Sequence, residues 1–299
     1  MTSTTRLALI GKGRWGSVIK KTLDNIPTCE LAYEATRDWK TLLEKNDIDG
    51  VIIATPPATH TEIALAFITR VLPVFIEKPL TMNLADAKRL QQAAAESGSI
   101  VLVGHQHLYN PPFTKTKELF HSLGNIRLLV GEGTNNVVYR EAMWDWASHD
   151  ISMMLSLMGE MPAQVAAWGI SPLRPGEPFY ATSAMKLTFS HGAVGLILSS
   201  WMMPQKRKKL TLVGEKKSAV YDDVLAEKKV ILFEDGGKTI SYPEYGPGLP
   251  LTLELQAFVR AIVEKEKSMS GITEGLNVVR VLDAAERSIK NGGETQSIK

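Results

Sequence analysis

Up to about residue 105 the chain alternates short apolar runs with segments whose apolar positions recur at helical spacing. The runs are LALI (7–10), CELAY (29–33), GVIIAT (50–55), VFI (74–76) and IVLVG (100–104). Between the first two, WGSVIKKTLDNI sets Val18, Ile19 and Leu23 on one helical face and stops at Pro27. DWKTLLEKND reads as a helix capped by Asp38. Thr59 and Glu62 have capping-box spacing ahead of IALAFITR. NLADAKRLQQAAAESG runs as a helix with Asn83 before it and Gly98 after it. Short buried strands alternating with helices predict an α/β domain, a parallel sheet with helices on both faces.

After about residue 108 the pattern changes. PPFTKTKELFHSLG is a helix opened by proline, and ISMMLSLMG is an apolar helix stopped by Gly159 and Pro162. QVAAWGI, SAMKLTFS, AVGLILSSW, KLTLVG, SAVYDD and KVILFE then follow as strands, with HG, GEKK and EDGG as turns. LTLELQAFVRAIVEK and ITEGLNVVRVLDAAERSIK return to helix. The expected organisation is a Rossmann-type domain over residues 1–108 and an α+β domain with a largely antiparallel open sheet over residues 109–299. A large sheet with one helix-poor face exposes apolar surface, so a face-to-face homo-oligomer, dimer or tetramer, is expected.

Composition narrows the class. Hydrophobic residues make up 44% of 299 positions and charged residues 22%, as in an ordinary globular protein. A net charge of +2 argues against a dedicated nucleic-acid binder. The basic run KRKK (206–209) then reads as the decoration of an exposed strand. Cys29 is the one cysteine, which excludes an internal disulfide and suits a reducing compartment. The first residues lack the apolar core of a signal peptide, and no apolar stretch is long enough to span a bilayer. The expectation is a cytoplasmic protein with no membrane partner.

Four short motifs carry the chemistry. GKGRWG (11–16) fits G-x-G-x-x-G directly after a strand and at the opening of a helix. Gly11 supplies the tight turn, Gly13 the close approach of a pyrophosphate, and Gly16 the packing of helix on sheet. Lys12 and Arg14 are either phosphate-side charges or solvated ones, and Trp15 belongs to the same loop. About twenty residues on, Glu34 and Asp38 suit the ribose diol of NAD, whereas Thr36 and Arg37 suit the 2′-phosphate of NADP. The sequence leaves that choice open. TPPATH (55–60) ends a strand at the edge where open α/β sheets bind ligands; His60 is either a cofactor contact or a first-turn helix residue. EKP (77–79) aims Lys78 at the same edge, where an ammonium polarises a carbonyl or stabilises an alkoxide.

WDWASHD (144–150) is the fourth. Asp145 and His149 are four residues apart and share a face if the helix starts here. A carboxylate-oriented neutral imidazole is a general base. The other reading makes Asp145 or Ser148 the N-cap and His149 a bystander. No metal is expected, since no cysteine pair stands at ligand spacing, with His105 and His107 as the reservation. Trp144, Trp146 and Trp201 read as core or interface, with Trp144 next to the acid.

With these motifs in this order, the chain resembles the Gfo/Idh/MocA family of nicotinamide-dependent oxidoreductases over nearly its whole length. VGHQHLYNPPFTKTKELFHSLGNI, SWMMPQKRKKLTLVGEKKSAVYDD and the C-terminal helices are similar to the family's corresponding stretches. The W-D-x-x-x-H-D form looks most like members that oxidise sugars or sugar nucleotides. The resemblance implies that Lys78, Asp145 and His149 are catalytic. It implies cofactor contacts at Gly11, Gly13, Gly16, Thr55, Pro56, Pro57, His60 and Glu77, and a substrate region near Tyr109, Asn110 and Trp144. It implies hydride transfer between a sugar C–H and NAD or NADP, with His149 taking the hydroxyl proton, Asp145 orienting it and Lys78 supporting the oxyanion. Asp150 is expected to point away from that face. Two departures stand out. The family's further helix and strand between CELAY and DWKTLL are missing, which narrows the first sheet, and Leu108 replaces a common arginine. The competing readings are a non-catalytic nucleotide-sensing regulator on the same fold, and redox-assisted hydrolysis or epimerisation with the nicotinamide regenerated in each cycle.

Overall fold

The computed structural model describes residues 4–136, 141–171 and 179–298. In chain order the first strands and helices are β1 (Thr5–Ile10), α1 (Arg14–Leu23), β2 (Cys29–Ala35), β3 (Gly50–Ile53), α2 (His60–Ile68), β4 (Val74–Ile76), α3 (Leu84–Ser97) and β5 (Val101–Val103). Then come α4 (Pro111–Leu119), β6 (Ile126–Asn136), α5 (Ser148–Met158), β7 (Gln164–Ile170), β8 (Thr182–Thr188), β9 (Val194–Ser200) and β10 (Met202–Gly214). The last are β11 (Ser218–Asp222), β12 (Val230–Glu234), β13 (Thr239–Ser241), α6 (Pro250–Glu264), α7 (Ile272–Lys290) and β14 (Gln296–Ser297). The chain packs as two units. One runs to Tyr109 and takes back Gly248–Val279; the other holds Asn110–Pro247 and the segment from Arg280 on.

The first unit is built on a parallel sheet in the order β2-β1-β3-β4-β5. Leu9, Ile52, Phe75 and Leu102 stand in register across four of its strands. Ile19 and Leu23 of α1 pack on this row together with Leu251, Leu255 and Phe258 of α6. On the opposite face α2 packs on β3 and β4 and against α3. The helical stripe of α6 is thus spent on the first sheet, and the spatial division differs from the 109–299 boundary expected from the sequence. No strand lies outside β2 among the described residues, in keeping with the expected narrowing.

Two local expectations are corrected. Residues Trp39–Glu44 form a 3-10 helix rather than an α-helix, and Asp38 does not cap it. Its carboxylate instead accepts from the backbone N–H of Thr36 at 2.9 Å. The capping box at Thr59 does not form either. The Thr59 hydroxyl donates to the Pro56 carbonyl, and Glu62 pairs with Lys40. Asn83 and Gly98 do cap α3, the first by accepting from Asp86 N–H and the second with a left-handed backbone.

The second unit holds a nine-stranded sheet in the order β13-β12-β11-β10-β6-β9-β8-β7-β14. It is antiparallel except for the β6–β9 pair. Its centre, β6, is absent from the strands expected by pattern, because Gly131 and Gly133 interrupt the apolar alternation. α4 packs on β11 and β12, α5 on β6, and the turn before α5 on β6 and β9. The other face carries Leu128, Val130, Val194 and Leu196 side by side. Trp168, Ile170 and Leu196 there are 53%, 59% and 40% exposed.

Phe258 is fully buried, with its ring edge-on to Phe75 at 5.8 Å between centroids. Phe258→Ala is expected to cost about 3–5 kcal/mol, read as a lower urea midpoint for loss of the first sheet.

Candidate active site

The glycine loop is shaped by backbone crowding. Gly11 has φ +116°, and a side-chain carbon there would lie 2.3 Å from the Ala54 carbonyl oxygen. A side-chain carbon at Gly16 would lie 1.9 Å from the Gly11 carbonyl oxygen. At Gly13 a side-chain carbon would meet nothing within 4 Å. Gly13 is also the N-cap of α1 and offers no side chain to its first-turn N–H groups. Open space above a helix N-terminus with its donors unspent is what a dinucleotide pyrophosphate needs, so the residues present fit such a cofactor. Lys12 lies within charge range of Asp38, and Arg14 is exposed.

Glu77 ties this loop to the EKP turn. Its Oε1 accepts from the Trp15 indole N–H at 2.5 Å, and its Oε2 accepts from the Lys78 backbone N–H at 3.2 Å. Its carboxyl lies against Gly104, where a side-chain carbon would come within 2.9 Å of Oε2. Burial pushes the Glu77 carboxyl up to about 7, against the pull of the Trp15 donor and the Lys78 charge. His60 is fully buried, its ring nitrogens 3.1 Å from the Pro79 carbonyl and 3.0 Å from that of Thr55. It therefore clamps the TPPATH loop to the EKP turn, whose Lys78–Pro79 bond is cis. Burial lowers its pKa, and the hydrogen bonds to the Thr55 and Pro79 carbonyls work against that. His105 is buried too, and desolvation with the Lys78 charge takes it down to about 3.

Near the end of β2, Glu34 is engaged by Lys20 of α1, while Thr36 and Arg37 just beyond the strand are exposed. Tyr109 is buried, with its hydroxyl 2.7 Å from the Ser268 hydroxyl and 3.0 Å from that of Ser270.

In the second unit Asp145 sits in a single π-turn, Met143–Ala147, and His149 is the second residue of α5. Neither Asp145 nor Ser148 caps the helix, so the N-cap reading falls. The Ser148 hydroxyl donates instead to the Asp145 carbonyl at 3.0 Å. The wider π-turn changes the angular spacing between residues 145 and 149 from that of a plain α-helix. Trp144 and Trp146 are buried, and Trp146 packs on Trp201 at 5.1 Å between rings. The Asn110 side chain donates to the Tyr221 hydroxyl at 2.7 Å and to Asp223 at 3.0 Å.

Asp150 is placed by a feature of β6 that the sequence analysis did not use. It is buried, and its carboxyl lies over β6, 2.8 Å from where a side-chain carbon would stand at Gly131 and 3.3 Å from the one at Gly133. Burial raises it to about 8, opposed by Lys208 and reinforced by Glu132. A G-x-G pair inside a strand was the available signal, since it marks close approach of another group. The KRKK run divides by strand parity. Arg207 and Lys209 pair with Glu132, and Lys208 lies over the Trp146 ring at 5.4 Å. Among the described residues no group of three or more histidine, cysteine or acidic side chains could hold a metal ion.

Residues 7–105 match a family described as oxidoreductases with an NAD-binding Rossmann fold. Residues 134–220 match the GFO/IDH/MocA C-terminal domain. A solved protein of Magnetospirillum magnetotacticum MS-1, described only as an oxidoreductase, is 34% identical over 94% of this chain and 99% of its own, with a TM-score of 0.86. The scyllo-inositol 2-dehydrogenase (NAD(+)) of Bacillus subtilis is 24% identical over 99% of this chain and 97% of that protein. The UDP-N-acetylglucosamine 3-dehydrogenase of Acidithiobacillus ferrooxidans shares the fold, with a TM-score of 0.86 at 18% identity over 98% of this chain and all of its own.

The raised Asp150 carboxyl makes stability depend on pH. The folded state holds its proton more tightly than the unfolded chain, so this contribution is complete below about 3.8 and is lost as pH rises towards about 8. Asp150→Asn is expected to gain on the native protein by roughly 1.4 kcal/mol per pH unit across that window, measured by urea unfolding from pH 5 to 9.

Proposed function

The chain belongs to the Gfo/Idh/MocA family of oxidoreductases, and from that premise we propose that it moves a hydride between the hydroxyl-bearing carbon of a sugar, cyclic polyol or sugar nucleotide and a nicotinamide dinucleotide. It is an enzyme of the dehydrogenase type with an NAD-binding Rossmann domain. The observation that carries the finer reading is the Glu77 carboxylate, which joins the glycine loop at Trp15 to the turn bearing Lys78. The substrate class is supported by relatives named as inositol and UDP-sugar dehydrogenases.

The nicotinamide supplies the ring that accepts or donates the hydride. The remaining roles fall to the chain. Gly11, Gly13 and Gly16 admit the pyrophosphate, Lys12 and Arg14 add positive charge beside it, and Trp15 and Glu77 brace the loop. Thr55, Pro56, Pro57 and His60 form a stiff wall at the carboxyl end of β3. In the oxidative direction His149 takes the hydroxyl proton, Asp145 orients the imidazole, and the Lys78 ammonium supports the charge that develops on oxygen. Trp144, Tyr109 and Asn110 shape the substrate region from buried positions. Glu34 is occupied by Lys20, whereas Thr36 and Arg37 are exposed, which favours NADP over NAD. The exposed apolar face around Val130, Leu196 and Trp168 supports a homo-oligomer paired through the nine-stranded sheet.

Fluorescence titration is expected to give tighter binding of NADPH than of NADH, followed by turnover with a polyol or sugar nucleotide. Lys78→Ala should then lower kcat by about a hundredfold or more while cofactor affinity stays within a few fold; unchanged turnover would remove Lys78 from the chemistry. Sedimentation should find an oligomer that Leu196→Glu converts to monomer, and a native monomer would refute the pairing.

A further inference from the structure

Glu254, the fifth residue of α6, is fully buried, and neither of its carboxyl oxygens has a hydrogen-bond partner among the described residues. Its neighbours fall on an apolar stripe: Leu251, Leu255 and Phe258 all enter the core of the first sheet. An acid at such a position costs more than leucine unless it has a task. The charged and polar groups around it define one. Glu77 acts on it electrostatically. α6 also packs on the 3-10 turn Gln106–Tyr109 and on α1. The titratable groups on these elements are Glu77 and Lys78 after β4, His105 after β5, and His107 and Tyr109 on the turn. Those of α1 are Arg14, Lys20 and Lys21, and they lie on its solvent side, Lys20 pairing with Glu34.

Phe258, one turn after Glu254, meets the ring of Phe75, two residues before Glu77, and two buried carboxyls that act on each other cannot both ionise cheaply. Glu77 has two N–H donors directed at its oxygens, from Trp15 and from the Lys78 backbone. Glu254 has none. The proton belongs on Glu254.

We propose that Glu254 is a positioning residue that stays a neutral acid, so that the negative charge of the pair, where it forms, sits on Glu77 alone and holds Trp15 and the Lys78 backbone. A neutral acid still has a dipole, which supports an adjacent anion where leucine would not. The relevance to cofactor binding rests on the function proposed above. The charge assignment does not.

The test uses the cofactor-free protein. The indole N–H signal of Trp15, identified by its loss in Trp15→Phe, reports the ionisation of Glu77 in a pH titration of protein carrying ¹⁵N-tryptophan. In the native protein it should move with a midpoint of about 7. Glu254→Gln, also neutral and dipolar, should leave that midpoint unchanged, and Glu254→Leu should raise it by about half a unit or more. A fall of a full unit in Glu254→Gln would mean that Glu254 is charged; no change in Glu254→Leu would mean that it positions nothing. Either result overturns the proposal. Should a variant fail to fold, the ¹³C-carboxyl signal of Glu254 in the native protein decides: it stays at its protonated position through pH 8, or the proposal is wrong. A protein with these titrations but no turnover would count against the proposed function and leave Glu254 as assigned.

Discussion

Burying the carboxyl of Glu77 costs several kcal/mol unless its oxygens are given donors, and the first unit is arranged around giving them. The indole of Trp15 reaches it from the glycine loop, the Lys78 amide from the following residue, and Gly104 leaves the room it occupies. These three come from the ends of three different segments of the sheet. Their agreement on one carboxyl aligns the loop, the lysine turn and the end of β5. His60 adds a second clamp, between the carbonyls of Thr55 and Pro79. The parallel sheet sets the strand ends level, and the carboxyl and the imidazole hold their loops there.

The second unit meets a related problem with a different solution. Asp150 is placed under cover by removing side chains from the strand it faces, so that Gly131 and Gly133 form its floor. Glycine weakens a strand interior, yet β6 is the central strand, hydrogen-bonded on both sides by β10 and β9. Pairing on two edges offsets what the glycines lose.

The parts legible in the sequence were those where one residue type answers one local demand. Gly11 and Gly16 are required by backbone clashes that any side chain would meet. Asn83 and Gly98 mark α3 because capping is local. The alternation of β1 to β5 with helices is the direct print of a sheet buried on both faces. What escaped was decided at a distance. The π-turn at Asp145 leaves no mark in the residues that form it, and WDWASHD reads equally as a plain first turn. β6 lost its period to glycines placed there for Asp150. The 3-10 helix at 39–44 formed in a segment with an α-helical pattern, and Asp38, its expected cap, bonds to Thr36 instead. Glu254 is fully buried, and nothing in its sequence neighbours marks it off from the solvent-facing acids of an amphipathic helix.

The core of the first unit is assembled from both ends of its sequence: Leu9 and Ile19 near the beginning, Leu255 and Phe258 after the whole of β6 to β13. During synthesis the early sheet leaves the ribosome with one apolar face covered by α1 but not yet by α6, and it waits in that condition while the nine-stranded sheet is translated. Domains generally fold as they emerge, so the later unit has most of its strands in hand before the earlier one can close. A ribosome stalled anywhere before residue 250 holds a nascent chain whose parallel sheet is unfinished, and such chains are the ones on which a chaperone would be expected to settle.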